Sequence, residues 1–100
     1  MQIEYNDGSE LTITGNIKSI EDSISIKQAI IRLRRDGAQS LRMNIIDSFS
    51  ITSTVIGNLM KLVHHDKVSL SLIVGDQRLY DLLAELNVVQ TFNVRFVKRH

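Results

Sequence analysis

A chain of 100 residues can build one hydrophobic core but not two, so the sequence predicts a single domain over 1–100. The formal net charge of +1 argues against direct nucleic-acid binding, and the absence of cysteine excludes disulfides, thiolate nucleophiles and cysteine-based zinc sites. No apolar run approaches a membrane span, and the N-terminus lacks a signal pattern. We therefore expect a cytoplasmic protein, or the cytoplasmic face of a larger assembly, without membrane insertion.

The N-terminal segment predicts a β-hairpin. Apolar and polar residues alternate in 2–5 and again in 11–14, and the turn-forming residues Asn6-Asp7-Gly8-Ser9 lie between them. Gly15-Asn16 ends the second strand.

A helix is expected to follow the hairpin. Ser19 with Asp22 resembles a capping box, and Asp36-Gly37 ends the helical pattern. One apolar face consists of Ile26, Ala29, Ile30 and Leu33. A second stripe consists of Ile20, Ile24 and Ile31. We assign Ile20 to the core, whereas Ile24 and Ile31 could belong either to the core or to a partner or dimer surface.

The segment Leu41–Leu62 predicts a strand, a hydroxyl-rich turn and a helix. Alternation of Leu41, Met43 and Ile45, with Ile46 alongside, is typical of a strand covered on both faces. Asp47 closes the strand. Apolar residues then recur at helical spacing, namely Ile56, Leu59, Met60 and Val63, so we expect a helix from Thr54 to His64.

The rest of the chain predicts a strand over Val68–Val74, a helix capped by Asp76, and a last strand containing Val94 and Phe96 before the basic tail Lys98-Arg99-His100. The predicted order is β-β-α-β-α-β-α-β. An α/β fold follows, with a mixed, mostly parallel sheet, an N-terminal hairpin and helices packed on the sheet. In such sheets the functional surface tends to lie at the carboxyl ends of the strands, and the joint after Asp47 is one of these ends.

Few residues suggest chemistry, and each has a structural explanation. Ser53 or Thr52 could simply cap the helix, and Asp47 is expected to form an Asx-turn with its own backbone. His64 and His65 are adjacent and cannot chelate one metal as an i, i+4 pair would, so they indicate a solvated helix end. The arginines at 32, 34, 35 and 42 favour a solvated face. No catalytic motif is present, so we expect a binding module rather than an enzyme, with neither cofactor nor metal.

The order of elements and the motif after Asp47 resemble the STAS domains, the family of anti-sigma factor antagonists and of sulfate-transporter tails. In the antagonists a strand-ending Asp precedes a motif like D-S-S-G-L-G that opens a helix. Here Thr52-Ser53-Thr54-Val55-Ile56-Gly57 occupies the motif, and Asn87-Val88-Val89-Gln90-Thr91-Phe92 is similar to the family's ending. The sequence departs from the motif at Thr52 and Val55.

The resemblance implies an anti-sigma factor antagonist that docks an anti-sigma factor serine kinase and is released by phosphorylation. Ser53 aligns with the phosphoacceptor, with Thr52 and Thr54 as alternatives, and Gly57 aligns with the second glycine of the motif. The implied partner-binding residues are Asp47, Ser48, Ser50, Thr52, Ser53, Thr54, Gly57 and Asn58. A monomer or weak homodimer is expected. The alternative is a non-phosphorylated accessory subunit of a phospholipid-transport ATPase or a stressosome-like assembly.

Overall fold

The computed structural model describes residues 1–98 and contains five strands and three helices. The elements are β1 (Gln2–Asn6), β2 (Glu10–Thr14), α1 (Ile20–Arg35), β3 (Ser40–Ile45), α2 (Ser53–His64), β4 (Ser69–Val74), α3 (Gln77–Glu85) and β5 (Val94–Phe96). The α/β class and the predicted order of elements are confirmed. Of the predicted basic tail, Arg99 and His100 lie outside the described residues.

All five strands form one sheet in the order β1-β2-β3-β4-β5. The β1–β2 hairpin is antiparallel, and every later neighbour pair is parallel. Helical connections between parallel neighbours are right-handed in nearly all proteins. Because the three connections here step in the same direction across the sheet, they carry α1, α2 and α3 to the same face.

The burial pattern agrees with helices on one face only. In β3, Leu41, Met43 and Ile45 are buried beneath the helices, whereas Ser40, Arg42 and Asn44 point away from them. The prediction that β3 is covered on both faces is therefore wrong. Strict alternation is the pattern of a half-buried strand. Ile46, which lengthened the apparent apolar run, lies just after the end of β3 and is not part of the strand.

Polar side chains on the open face form hydrogen bonds with one another. Asn44 Nδ2 donates to Glu10 Oε2 at 3.0 Å and to Thr12 Oγ1 at 3.3 Å. Thr12 Oγ1 donates in turn to Asn6 Oδ1 at 2.6 Å. This network joins β1, β2 and β3, and the polarity of these side chains suits a face that is open to water.

The predicted helix starts are largely confirmed by their caps. Ser19 and Asp22 form the capping box of α1, Asp76 caps α3, and Gly37 adopts a φ of +96° just after α1. The assignment of Ile20 to the core is wrong, because its side chain is 76% exposed. The capping box makes Ile20 the first helical residue, ahead of the turns of α1 that are buried against the sheet.

The one-sided core predicts different costs for the same substitution in neighbouring strands. Ile45 lies under the helices with no exposed surface, whereas Ile73 lies on the open face of the adjacent strand. Ile45→Thr should lower the free energy of unfolding by about 2–4 kcal/mol, because it removes buried apolar volume and buries a hydroxyl. Ile73→Thr keeps the β-branched shape and should cost no more than about 1 kcal/mol. Urea unfolding of both variants measures the difference, and equal costs would contradict a one-sided core.

Candidate functional site at the start of the second helix

The segment between β3 and α2 places Thr52 as the cap of α2. Thr52 has an extended backbone, with φ −87° and ψ 155°, and its side chain accepts a hydrogen bond from the Val55 amide at 3.2 Å. Of the two residues expected to be able to cap the helix, Thr52 does so. The helix begins at Ser53, one residue earlier than predicted.

The Thr52 hydroxyl also joins the starts of two helices. It lies 2.7 Å from Oγ of Ser23, a buried residue of α1, and Ser23 Oγ donates to the Ser19 carbonyl at 3.2 Å. Either hydroxyl can donate the hydrogen of the bond between Ser23 and Thr52. The Thr52 hydroxyl is therefore bonded within the fold to both Val55 and Ser23.

Three further side chains attach the turn after β3 to the segment between β2 and α1. Ser48 Oγ accepts from the Ile17 amide at 3.0 Å and donates to the Ser50 carbonyl at 2.7 Å, and Ser50 Oγ donates to the Ile17 carbonyl at 2.9 Å. Asp47 Oδ1 accepts from the Gly15 amide at 2.7 Å. We call these contacts of Asp47, Ser48 and Ser50 with Gly15 and Ile17 the clasp.

The clasp corrects two predictions. Ser48 has no exposed surface, so it cannot contact a partner directly as the resemblance implied. Asp47 is exposed, but its carboxylate bonds to the distant Gly15 rather than forming the expected turn with its own backbone. Ser50 is half-buried and bonded to Ile17. Both corrections concern contacts between segments far apart in sequence, which a local pattern does not reveal.

Ser53 and Thr54 are the hydroxyl residues that the structure exposes here, in the first turn of α2. That turn contains no acidic side chain. The backbone amides at a helix start carry partial positive charge, which favours an anion such as a phosphate. The arrangement therefore presents two hydroxyls at a position where a negative charge is electrostatically acceptable.

Gly57 is exposed one turn further along α2, and a Cβ added there would meet nothing within 4 Å. Val55, at the departing position of the motif, is fully buried in the core. Asn58 is half-buried and lines a groove between α1 and α2. The predicted partner surface is thus divided: Asp47, Ser53, Thr54 and Gly57 are exposed, and the other predicted residues are partly or fully withdrawn.

Sequence reasoning did not identify an aromatic contact close to the clasp. Phe49 is 45% exposed between Ser48 and Ser50, and the Arg78 guanidinium carbon lies 4.7 Å from the centre of its ring. Arg78 also holds Asp76 through two hydrogen bonds of 3.0 and 2.8 Å, which lower the pKa of the Asp76 carboxyl. An aromatic residue within a polar turn is a detectable sequence feature, whereas its contact with Arg78 depends on the fold.

The remaining candidate residues are spread over several parts of the surface. His64 and His65 are exposed at the end of α2, as expected. Within residues 1–98 no group of three or more His, Cys, Asp or Glu side chains could hold a metal ion. The four arginines do not share one surface: Arg32 stacks on Tyr5, Arg42 lies on the open sheet face, and Arg34 and Arg35 line the α1–α2 groove.

Comparison with known proteins supports the fold alone. No family model matches the chain, and no curated protein matches it. The chain is similar to a solved structure titled "NMR Structure of the protein TM1081", with a TM-score of 0.66 and 13% identity, over 95% of this chain and 79% of that chain. No helix within the described part of the chain is long and apolar enough to cross a membrane.

Thr52 caps α2 and Ser53 does not, so alanine at these two positions should have different effects on stability. Thr52→Ala should lower the free energy of unfolding by about 1–2 kcal/mol, because it removes a helix cap and a hydrogen bond to buried Ser23. Ser53→Ala changes an exposed residue and should stay within about 0.5 kcal/mol of the wild type. Chemical denaturation followed by circular dichroism measures both. A larger cost for Ser53→Ala than for Thr52→Ala would contradict this assignment of the cap.

Proposed function

We propose that this chain is a regulatory protein-binding module of the STAS type that docks an anti-sigma factor serine kinase through the exposed start of α2. Phosphorylation of Ser53 would release the kinase. The observation that carries the proposal is the exposed Ser53 hydroxyl, presented by the first residue of a helix whose cap is supplied by Thr52. The resemblance supplies the class of partner.

Ser53 is the favoured phosphoacceptor among the three candidates. The Thr52 hydroxyl both caps α2 and contacts Ser23, so modifying it would break the joint between two helices. Ser53 and Thr54 are exposed and take no part in the cap. Ser53 aligns with the phosphoacceptor of the family, and Thr54 remains the second choice.

Phosphorylation at this position should alter the surface rather than unfold the helix. A phosphate adds about 1.5 to 2 negative charges, and at the start of a helix it interacts favourably with the backbone amides. The first turn of α2 has no carboxylate to repel it. The energetic penalty would therefore fall on the complex, because the partner would have to desolvate the new charge or oppose it with its own acidic groups.

The switch predicts loss of partner capture when a fixed charge replaces the hydroxyl. Tagged wild type, Ser53→Ala and Ser53→Asp would be purified from the native host, and the co-purified proteins identified by mass spectrometry. We expect Ser53→Asp to capture at least about tenfold less kinase than wild type and Ser53→Ala do. A tenfold loss of affinity corresponds to about 1.4 kcal/mol of binding free energy. Phosphate on peptides covering residues 48–54 would be mapped in the same samples.

Ser25→Asp is the matched control, because Ser25 is an exposed serine on another helix, α1. It adds the same charge without touching the start of α2 and should capture as much kinase as wild type. Equal capture by Ser53→Asp and wild type would contradict the switch.

The accessory-subunit alternative has one observation in its favour. Both residues that depart from the family motif serve the fold, since Thr52 caps α2 and Val55 is buried in the core. Such a motif could have lost its regulatory role while keeping its architecture. Co-purification of ATPase and permease subunits, with no phosphate at residues 48–54, would favour this alternative over the kinase.

A substitution at Gly57 should change the stability of the fold and the capture of the partner in opposite directions. Since the site is helical, exposed and sterically open, Gly57→Ala should raise the free energy of unfolding by about 0.5–1 kcal/mol. If the partner approaches α2 closely, the new methyl group should nevertheless reduce partner capture. Ser25→Ala is the control, because it changes an exposed helical residue elsewhere and should leave capture unchanged. Unaltered capture by Gly57→Ala would place the docking surface away from this turn.

A further inference from the structure

A groove of about 400 Å³ runs between α1 and α2, near the C-terminal ends of both helices. Ile30 and Leu62 lie in it and are almost fully buried, whereas Ile31 at its side is 44% exposed. The exposed stripe continues along α1 through Ile24, which is 49% exposed and lies seven residues before Ile31. The groove thus combines recessed apolar residues with an exposed apolar flank.

Its charged lining is strongly one-sided. Four cationic side chains line it, Lys27, Arg34, Arg35 and Lys61, against the single carboxylate of Asp66, an excess of three positive charges. The whole chain carries a formal charge of only +1, so positive charge is concentrated at this groove. A surface of this kind attracts acidic ligands and repels basic ones.

The carboxylate in the lining does not remove this excess. Asp66 accepts a hydrogen bond from His65 Nδ1 at 2.9 Å, which lowers its pKa, and the nearby charges of Lys61 and Arg34 act in the same direction. It is therefore ionised at neutral pH and offsets one cation. Arg34 also donates to the Ala38 carbonyl. The cations most exposed to an incoming ligand are Lys27, Arg35 and Lys61.

The side-chain amide of Asn58 provides a separate observation. Asn58 lines the groove, and its Nδ2 is buried with no hydrogen-bond partner in the described part of the chain. An unpaired buried donor costs free energy, and rotation of the Asn58 side chain toward an acceptor in the groove would reduce that cost. Carboxylates, which the cations also favour, are such acceptors.

We propose that the α1–α2 groove is a second docking site, which binds an acidic amphipathic helix of a partner protein. Apolar side chains of that helix would contact Ile31 and Leu62, and its carboxylates would pair with the lysines at the sides. A concave groove with recessed apolar residues suits an inserted helix, whereas a lipid surface is bound by apolar residues that protrude. The groove borders the second half of α2 and does not include Ser53, so this inference stands without the proposed kinase switch.

The probe is a synthetic peptide of about 18 residues, or five turns, with leucine at i, i+3, i+4 and i+7, glutamate beside the leucines and the helix-favouring alanine on the far face. It would be titrated into the ¹⁵N-labelled full chain while amide chemical shifts are followed. We expect the largest shifts at Ile31, Asn58 and Lys61, and weaker binding at high salt because the attraction is between charges. A peptide with lysine in place of glutamate should not bind.

Two pairs of matched variants test the charge and the apolar flank. Lys27→Glu with Lys61→Glu should weaken peptide binding at least about tenfold, whereas Lys18→Glu with Arg95→Glu, an equal charge change outside the groove, should stay within about twofold. Ile31→Ser should weaken binding about threefold or more, whereas Ile20→Ser, at an exposed isoleucine outside the groove lining, should not. All of these positions except half-exposed Ile31 are well exposed, and circular dichroism checks that each variant folds.

Several results would overturn the proposal. Shifts confined to other surfaces, equal binding of the lysine peptide, or no effect of the Lys27–Lys61 pair would each exclude this groove as an acidic-helix site. Groove signals that respond to phosphatidylglycerol vesicles but not to the peptide would identify a membrane surface instead. A concentration-dependent dimer in sedimentation, weakened by Ile31→Ser and unaffected by the peptide, would identify a second copy of this chain.

Discussion

The structure depends on one constraint: three helical crossovers step in the same direction across a parallel sheet. Each crossover is expected to be right-handed, so α1, α2 and α3 share one face and one core. The opposite face is then exposed to water, and it carries polar side chains that hydrogen-bond across the strands, those of Asn6, Glu10, Thr12 and Asn44. In many α/β sheets the strand order reverses at one point, and ligands bind in the crevice formed there. The sheet of the described residues runs β1-β2-β3-β4-β5 and has no such reversal.

The helix that follows β3 packs into the core through Val55, Leu59 and Leu62, and polar contacts fix its start. Thr52 contacts Ser23 of α1, and the clasp attaches the preceding turn to Gly15 and Ile17. These bonds join the entry of α2 to the entry of α1, two segments that the chain separates by a strand and a helix. The hydroxyl-rich turn is therefore chiefly a structural device, and only its last members, Ser53 and Thr54, are presented to solvent.

The two ends of α2 consequently have different chemistry. Its start offers exposed hydroxyls, helix amides and the stacked pair Phe49–Arg78, whereas its far end borders a cationic groove with an apolar flank. Lys61 and Leu62 of the groove lie eight and nine residues after Ser53, about 12–14 Å along the helix axis. The two proposed docking sites therefore lie on separate parts of the same helix.

The sequence by itself determined the elements and most of their ends, because periodicity, caps and turn residues act over a few positions; the start of α2 was predicted one residue late. The box formed by Ser19 and Asp22, the cap at Asp76 and the break at Gly37 are all local. Only the tertiary structure decided which face of the sheet the helices cover, because that depends on the direction of the crossovers. It left β3 covered on one side, Ile20 exposed and Ser48 buried. The tertiary structure also decided which hydroxyls form hydrogen bonds within the fold, because the hydrogen-bond partners of Ser48, Ser50 and Thr52 include residues far away in the chain.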